Sequence, residues 1–284
     1  MTHVWVAMSG GVDSSVAAAR LVGAGHRVTG VTMQLLPEDD DPGTCCSVET
    51  TRAARRVCDL LGIEHYTLNM RDLFEREVVA PFVAEYAAGR TPNPCIACND
   101  RLKFAALLAR ARTHGAEALA TGHYARLVPD DDGRVWLHRG ADASKDQSYF
   151  LYRLDDPAIG RVRFPLGEAT KDEVRHEARA LGLPTAERPE SQEVCFVPGD
   201  TGSFVIGREA KAGSPGVFVD SAGTRLGTHG GIARYTVGQR KGIGRAGGPW
   251  FVADIRPADN TVVLAHGALP RVSSLHLTDV VYRG

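Results

Sequence analysis

Residues 9–15, Ser-Gly-Gly-Val-Asp-Ser-Ser, combine two glycines, three hydroxyl groups and a carboxylate between a short apolar run and a helical pattern. We expect a tight strand-to-helix turn in which Gly10 and Gly11 adopt positive φ and let the backbone approach a ligand closely. The helix N-terminus would favour an anion there, and Asp13 could hold Mg²⁺. No lysine follows the glycines, so the turn is not a Walker-type loop. A plain Ser/Gly turn is the structural alternative.

Cys95 and Cys98 form a C-x-x-C pair directly before a predicted helix. We expect this position to lower the thiol pKa, and a thiolate is both the better nucleophile and the better metal ligand. Structural zinc normally needs four ligands, and the chain has no second such pair. A redox dithiol of the thioredoxin type is a further alternative. The pattern favours catalytic cysteines or part of an iron–sulfur site.

The other cysteines differ in their surroundings. Cys195 lies among polar residues before a Pro-Gly-Asp loop, which favours a site cysteine over a buried strand cysteine when the other motifs are present. We expect Cys58 to pack in the core and assign no role to Cys45 and Cys46. Six cysteines with no secretion signal indicate a reducing cytoplasm, and no run approaches the ~18 apolar residues of a membrane span.

Two further groups could contact a ligand. His123 lies at the end of a predicted strand, where either a ligand contact or a satisfied polar side chain is expected. Lys145, Asp146 and Gln147 offer a cation, a carboxylate and an amide at a predicted helix start, where helix capping is the alternative.

A basic stretch follows residue 220. No acidic residue occurs between Asp220 and Asp254, and the glycine-rich span contains basic residues of one sign: Arg225, Arg234, Arg240, Lys241 and Arg245. The formal net charge of −1 gives no global attraction to nucleic acid, so contact would need such a local patch. We favour contact with a phosphate backbone over a solvated face.

The elements that position these residues alternate between strand and helix. The 284 residues suffice for about two domains. Alternation up to residue 127 predicts a doubly wound parallel sheet of an α/β fold. Ligands then bind beyond the carboxyl ends of the strands, so the turn, residues 121–123 and the loop after the second strand should converge. The strands are expected at residues 26–36, 65–70 and 118–121, and the helices at 47–61, 72–88, 99–113, 145–154 and 170–181.

The later part of the chain has a different pattern. Residues 124–128 and 135–139 predict a hairpin, and acidic residues 38–41 and 130–132 are expected in solvated loops. From about residue 207 the chain is glycine-rich and strand-like, and residues 274–282 have the composition of a strand. We place a catalytic domain at 1–206, a small β-rich domain at 207–270 and a third segment at 271–284.

Taken together, the motifs resemble the bacterial-type tRNA-specific 2-thiouridylases of the ATP-pyrophosphatase superfamily. They occur in one order along nearly the whole chain, and the two cysteine motifs are more specific than the glycine turn. The matching stretches are SGGVDSS, CCS near residue 46, GRTPNPCIACN from Gly89, TGHYARL from Thr121, SKDQSYFLYRL from Ser144, FPLGE from Phe164, ESQEVCFV from Glu190 and YTVGQRKGIG from Tyr235.

The resemblance implies a two-step activity. ATP adenylates the C2 oxygen of the wobble uridine and pyrophosphate leaves; sulfur then replaces the oxygen and AMP leaves. Cys98 matches the nucleophile and Cys195 the persulfide carrier, which the first could resolve by forming a disulfide. The implied partners are the tRNA anticodon stem-loop, from which the uridine must be turned out, and a sulfur donor such as a cysteine desulfurase or sulfur-relay protein.

Binding residues carry over by position, and Arg240 and Lys241 join the tRNA contacts from the basic stretch. The ATP contacts implied are Ala7, Met8, Ser9, Gly10, Gly11, Val12, Asp13, Ser14, Met33 and Gly122. The implied target-base loop and tRNA contacts are Asn93, Pro94, Cys95, His123, Lys145, Asp146 and Gln147.

The sequence departs from the family in two places. Some members have Asp where Cys95 stands, and three thiols, Cys95, Cys98 and Cys195, could hold a [4Fe–4S] cluster with one open iron. The family's C-terminal β-barrel is expected to be largely absent, with residues 271–284 only its start. The alternative functions are an ATP-pyrophosphatase that adenylates a small molecule and a non-catalytic iron–sulfur or tRNA-binding module.

Overall fold

The computed structural model describes residues 1–37, 48–189, 194–244, 247–269, 274 and 277–281. Contacts between Cα atoms divide the chain into two compact units, residues 1–77 with 95–196 and residues 78–94 with 197–284. The domain limits drawn from the sequence stay predictions. Several predicted features lie outside the described residues: the acidic run 38–41, Cys45, Cys46, the CCS match, residues 190–193, Arg245 and most of the strand predicted at 274–282.

The first unit is built on a five-stranded, wholly parallel sheet of order β3-β2-β1-β4-β7, with a separate antiparallel hairpin, β5-β6. This confirms the predicted doubly wound α/β fold, and β1 and β4 are neighbours at its centre. The strands are β1 His3–Ala7, β2 Arg27–Gln34, β3 Glu64–Asn69, β4 Ala118–Ala120, β5 Ala125–Pro129, β6 Val135–Arg139 and β7 Val162–Arg163.

Side chains alternate between the two faces of the sheet, and at the central strand β1 both faces are covered. Val4 and Val6 of β1 pack with residues of the helices on one face, whereas Trp5 packs with those on the other. The α-helices are α1 Val12–Gly23, α2 Val48–Leu61, α3 Arg71–Phe74, α4 Ala80–Ala87, α5 Pro94–Ala97, α6 Leu108–Thr113, α7 Asp156–Ile159, α8 Lys171–Ala180 and α9 Thr201–Arg208. The π-helices are Glu75–Val79 and Cys98–Leu107, and the 3₁₀ turns are Ser148–Leu151, Ala210–Gly213, Ile232–Arg234 and Pro257–Asp259.

Local signals placed α8 correctly. Thr170 caps it, accepting from the Glu173 N–H, while the Glu173 carboxylate accepts from the Thr170 N–H, which is a complete capping box. The predicted helix 72–88 is instead α3, a π-helix and α4. Pro81 lies in the first turn of α4, where its missing N–H leaves no helical hydrogen bond unmade.

The helix predicted at residues 145–154 is wrong, since only the 3₁₀ turn Ser148–Leu151 forms. The Asp146 carboxylate accepts from the N–H groups of Gly140 and Ser148 and from the Ser148 hydroxyl. The Gln147 side chain accepts from the Tyr124 N–H. These bonds offer the backbone an alternative to a helix.

The second unit contains a four-stranded sheet of order β10-β11-β8-β9, which confirms the predicted small β-rich part. Its core includes Phe218, Tyr235, Val252 and Leu264. The strands are β8 Gly216–Val219, β9 Arg225–His229, β10 Trp250–Arg256 and β11 Thr261–His266. Within the described ranges, every helix of the chain is too short or too polar to span a lipid bilayer.

The ends of β1 and β4 approach each other closely. A Cβ atom added at Gly122 would lie 2.7 Å from the carbonyl carbon of Asp13 and 2.8 Å from the amide nitrogen of Ser14. Because both of these atoms belong to the backbone of the turn, no side-chain rotation could relieve such a clash.

We therefore predict that Gly122→Ala destabilises the protein by about 1–3 kcal/mol, the usual cost of overpacking. Urea unfolding measures the effect. Gly23→Ala is the matched control, since a Cβ there meets nothing within 4 Å. Equal stabilities of the two variants would contradict the close approach.

Candidate active site

The turn of residues 9–15 lies between β1 and α1. Gly10 has φ +71°, the left-handed region that favours glycine, and a Cβ there would collide with the carbonyl oxygen of Thr50. Gly11 is the N-cap of α1 with φ −93°, so the expectation of positive φ is correct for Gly10 and wrong for Gly11. The first N–H groups of α1 point to this turn, which suits an anion.

The hydroxyl groups of the turn have two roles: some hold the local structure together, and one is exposed to solvent. Ser15, wholly buried, donates to the Gly11 carbonyl over 2.8 Å and accepts from the hydroxyl of buried Thr185 over 2.9 Å. Ser14 accepts from the Ser9 N–H over 3.2 Å. Ser9 itself is exposed, so its hydroxyl can reach a bound anion.

Asp13 is engaged by two side chains that the sequence did not single out. Both of its carboxylate oxygens accept from the Lys171 ammonium over 2.8 Å, and the Tyr124 hydroxyl donates to Oδ1 over 2.8 Å. Lys171 keeps only 8% of its side chain exposed. In this arrangement Asp13 offers no unengaged oxygen to Mg²⁺. The only local signal for Lys171 is its place at the start of a helix, where the dipole disfavours a cation.

A second cation reaches the same turn. The Arg188 guanidinium donates to the Gly10 carbonyl over 3.2 Å and lies 3.6 Å from the Glu49 carboxylate. The turn has no lysine of its own, but Lys171 and Arg188 bring positive charge to it from more than 150 residues away in sequence. The site can therefore offset the charge of a bound phosphate.

The end of β4 places His123 in an aromatic cluster. One ring nitrogen, Nδ1, lies 2.6 Å from the Thr121 hydroxyl, and the ring centroid is 6.1 Å from that of Phe104 and 6.0 Å from that of Phe164. Burial lowers the pKa of His123 well below its usual value, and the charge of Lys103 lowers it further. The imidazole is neutral at physiological pH, so it cannot act as a cation towards phosphate.

The cysteine pair lies inside a helical run. Cys95 is in α5, and Cys98 begins the π-helix Cys98–Leu107. Burial raises the pKa of Cys98 to about 11 and raises that of Cys95 in the same direction, with Lys103 opposing both shifts. Desolvation is the largest cause at both thiols and opposes the predicted lowering of the thiol pKa.

The third cysteine shares this environment. A charge on Cys195 raises the pKa of both Cys95 and Cys98, so the three thiols are electrostatically coupled. The loop of Cys195 is anchored by the next residue: the buried Phe196 ring packs edge-on against Phe74 at 5.4 Å. All three are free thiols. The structure thus brings together cysteines that are about 100 residues apart.

Lys103 is the cation of the thiol cluster. An α-helix turns about 100° per residue, so it would hold residues five apart roughly 140° from each other. In a π-helix residues i and i+5 are joined by a hydrogen bond, which puts Cys98 and Lys103 one turn apart on one face. The buried Asn99 fixes Lys103, accepting from its ammonium over 2.9 Å and donating to the Phe150 carbonyl over 3.1 Å.

The described structure gives no support for an iron–sulfur cluster at these thiols. Among the residues that the structure describes, no three His, Cys, Asp or Glu side chains are arranged to hold a metal ion.

The remaining predicted residues are distributed over both units. Met33 lies on β2. The side chains of Asp146 and Gln147 accept hydrogen bonds from backbone N–H groups of the protein itself. Lys145 is half-buried. Asn93 and Pro94, like the exposed Arg240 and Lys241, belong to the second unit.

We predict that Lys171→Met, which leaves Asp13 unpaired, weakens binding of inorganic pyrophosphate at least about tenfold, because one opposing charge is lost and one like charge exposed. Stability should fall by roughly 1–3 kcal/mol, less than for a fully buried pair. Isothermal calorimetry and urea unfolding measure the two effects. Lys171→Arg keeps the charge and should retain most of the pyrophosphate affinity and most of the stability. Unchanged affinity in Lys171→Met would contradict a role for Lys171 in binding the anion.

We also predict that alkylation of Cys98 by iodoacetamide accelerates as pH rises towards 11, because the thiolate forms only there. In a Cys95→Ala background, mass spectrometry follows this site alone. Lys103→Met should shift the profile to higher pH, and Lys103→Arg should leave it near its original place. A profile unaffected by Lys103→Met would show that the ammonium does not act on the thiol.

Two family models and curated relatives match most of this chain. Residues 2–199 match the family described as tRNA methyl transferase HUP domain, and residues 204–266 match the tRNA methyl transferase PRC-barrel domain. The tRNA-specific 2-thiouridylase MnmA of Chloroflexus aurantiacus is 50% identical over 274 residues, 94% of this chain and 76% of that protein. That of Carboxydothermus hydrogenoformans is 52% identical over 273 residues, 93% and 75% respectively.

Likeness to solved structures is weaker. A 4-thiouridine synthetase–RNA complex with bound ATP is 19% identical, with a TM-score of 0.42 over 69% of this chain and 45% of that one. A TM-score this low does not support an inference about the protein. The sequence matches cover most of the chain and contain the turn and all three site cysteines. The chain therefore belongs to the tRNA-specific 2-thiouridylase family, MnmA.

Proposed function

We propose that the protein is an ATP-dependent tRNA uridine 2-sulfurtransferase. It adenylates the C2 oxygen of the wobble uridine with release of pyrophosphate, and then replaces that oxygen with sulfur while AMP leaves. One observation carries the proposal: a single compact unit holds both an anion-binding turn and a cluster of three thiols. Membership of the 2-thiouridylase family supports the same activity.

The turn suits the activation step. The N–H groups at the start of α1 and the Ser9 hydroxyl would hold the β- and γ-phosphates of ATP, and Lys171 and Arg188 would offset their charge. Mg²⁺ would supply further neutralisation when bound with ATP, and the Oδ2 atom of Asp13, which accepts one bond from Lys171, keeps a lone pair that could hold it. The uridine oxygen attacks the α-phosphorus, and the bond to pyrophosphate breaks.

The thiols suit the sulfur step. A donor protein would load Cys195 as a persulfide, whose terminal sulfur attacks C2 while the C2–O bond to AMP breaks. The Cys98 thiolate then attacks the Cys195 sulfur, forming a disulfide and leaving the terminal sulfur on the base. An external thiol reductant restores both cysteines, which accords with the cytoplasmic location expected from the cysteine content.

Cys98 needs help to react at neutral pH. Burial keeps it protonated, and Lys103 is the cation placed to stabilise its thiolate. We expect sulfur transfer to accelerate with rising pH until Cys98 ionises. Because all three cysteines are free thiols and no described group of side chains is arranged around a metal ion, we propose the persulfide route over a [4Fe–4S] cluster. Stoichiometric iron and sulfide after anaerobic reconstitution, with activity lost in chelator, would reverse that choice.

Recognition of tRNA would use the target-base loop, His123, Lys145 and the basic stretch. The base would be turned out of the anticodon loop towards Asn93, Pro94 and Cys95. His123, being neutral, would contact a base or sugar rather than a phosphate. Of residues 145–147, Lys145 is the one whose side chain we expect to reach tRNA. Arg240 and Lys241 would contact the phosphate backbone.

Cysteine variants test the proposal. We predict that Cys98→Ser and Cys195→Ser each reduce thiolation at least about a thousandfold, because a hydroxyl cannot carry or resolve a persulfide, while tRNA-dependent pyrophosphate release persists. Pyrophosphate is measured by a coupled assay and 2-thiouridine by mass spectrometry of digested tRNA. Cys58→Ala is the control, since Cys58 is buried in the core with its pKa raised to about 12.

The outcomes separate the alternatives. Thiolation that survives either Ser substitution removes that cysteine from the mechanism. Pyrophosphate release that needs no tRNA indicates a small-molecule adenylating enzyme, and no release at all indicates a non-catalytic RNA-binding module.

A further inference from the structure

The second unit contains a hollow that the thiolation chemistry does not use. It lies in the loop between Tyr235 and β10, has a volume of about 800 Å³, and is lined by Arg240, Gly242, Gly244 and Trp250, among others. Sites for small molecules and single nucleotides span roughly 300–1,000 Å³. The hollow is therefore large enough for one nucleotide.

The loop is held by hydrogen bonds at its base. The Gln239 side chain accepts from the Thr236 N–H and donates to the Lys241 carbonyl, each over 2.9 Å. Main-chain bonds join Gly238 to Val252 over 2.8 Å and Val252 to Gln239 over 3.0 Å. The side chains that line the hollow are thus presented from a fixed frame, which lowers the entropy cost of binding.

The charge of the loop has one sign. Arg240 and Lys241 are exposed, and neither forms an ion pair within the described part of the chain. No acidic residue occurs in the sequence between Asp220 and Asp254 to repel an anion. Gly242 and Gly244, with φ of +76° and +70°, carry no side chain that could cover the backbone N–H groups beside these cations.

Trp250 supplies a flat apolar surface in the same hollow. It is half-buried, and its ring packs edge-on against His266 with centroids 4.7 Å apart. The His266 ring is itself held at 2.9 Å from the Gly247 carbonyl. An indole fixed in this way can stack with a base of any identity.

We propose that this hollow is an RNA subsite for one unpaired nucleotide, with its base against Trp250 and its phosphate on Arg240 and Lys241. A polymer suits it better than a free nucleotide, because the hollow is widely open to solvent and Arg240, Gly242 and Gly244 on its lining are exposed. The subsite adds to the proposed function. It rests on that function in one respect, namely that the RNA entering it is tRNA.

Binding of RNA to the full chain tests the subsite. The probe is a fluorescein-labelled, unstructured ten-nucleotide RNA, followed by anisotropy across a salt series, with circular dichroism to verify folding. Trp250→Ala should weaken binding ~5- to 150-fold, the range for losing one base stack, whereas Trp250→Phe should lose much less. Arg240→Ala should reduce the slope of log affinity against log salt concentration by the equivalent of about one phosphate contact.

Arg256→Ala is the matched control, an exposed arginine at the end of β10 that pairs with Asp254 and does not line the hollow. The subsite is overturned if Trp250→Ala binds like the unaltered protein, if Arg256→Ala loses as much as Arg240→Ala, or if AMP displaces the RNA at equal concentration. RNA binding that depends on Trp250, in a protein that never thiolates tRNA, would support the subsite while contradicting the proposed function.

Discussion

The ion pair between Lys171 and Asp13 is the interaction on which the active site depends. It joins the start of α8 to the turn after β1, and the Tyr124 hydroxyl adds the segment that follows β4. Three elements that are distant in sequence thereby fix one carboxylate. Lys171 also neutralises the one carboxylate that the turn would otherwise present to a bound anion.

A parallel sheet makes this arrangement possible. Neighbouring β1 and β4 end at the same edge, so the turn and residues 121–123 meet as the topology requires. Glycine at position 122 lets them approach to a distance that no side chain would permit. The thiol cluster belongs to the same compact unit, where the π-helix places Lys103 on the face of Cys98. The turn and the three thiols therefore share one scaffold, as the proposed activation and sulfur transfer need.

The features that could be predicted from the sequence are those that neighbouring residues determine. The turn, the parallel strands and the helix at 170–181 follow from residue spacing over a few positions. Lys171, Arg188 and Thr185 were missed because their partners lie about 150 or more residues away and leave no periodic signal. The helix at 145–154 was wrong because Asp146 and Gln147 bond to Gly140 and Tyr124, contacts that spacing does not reveal. Desolvation of the thiols was missed for a related reason: burial depends on the whole fold.

The central claim is that ATP activates the uridine oxygen itself, and an isotope experiment tests it most directly. Transfer RNA carrying ¹⁸O at C2 of the wobble uridine is thiolated with unlabelled ATP, and the released AMP is analysed by mass spectrometry. The account predicts one ¹⁸O atom in each AMP, because the C2–O bond breaks after the oxygen has bonded to phosphorus. Unlabelled AMP, formed in step with 2-thiouridine, would contradict it.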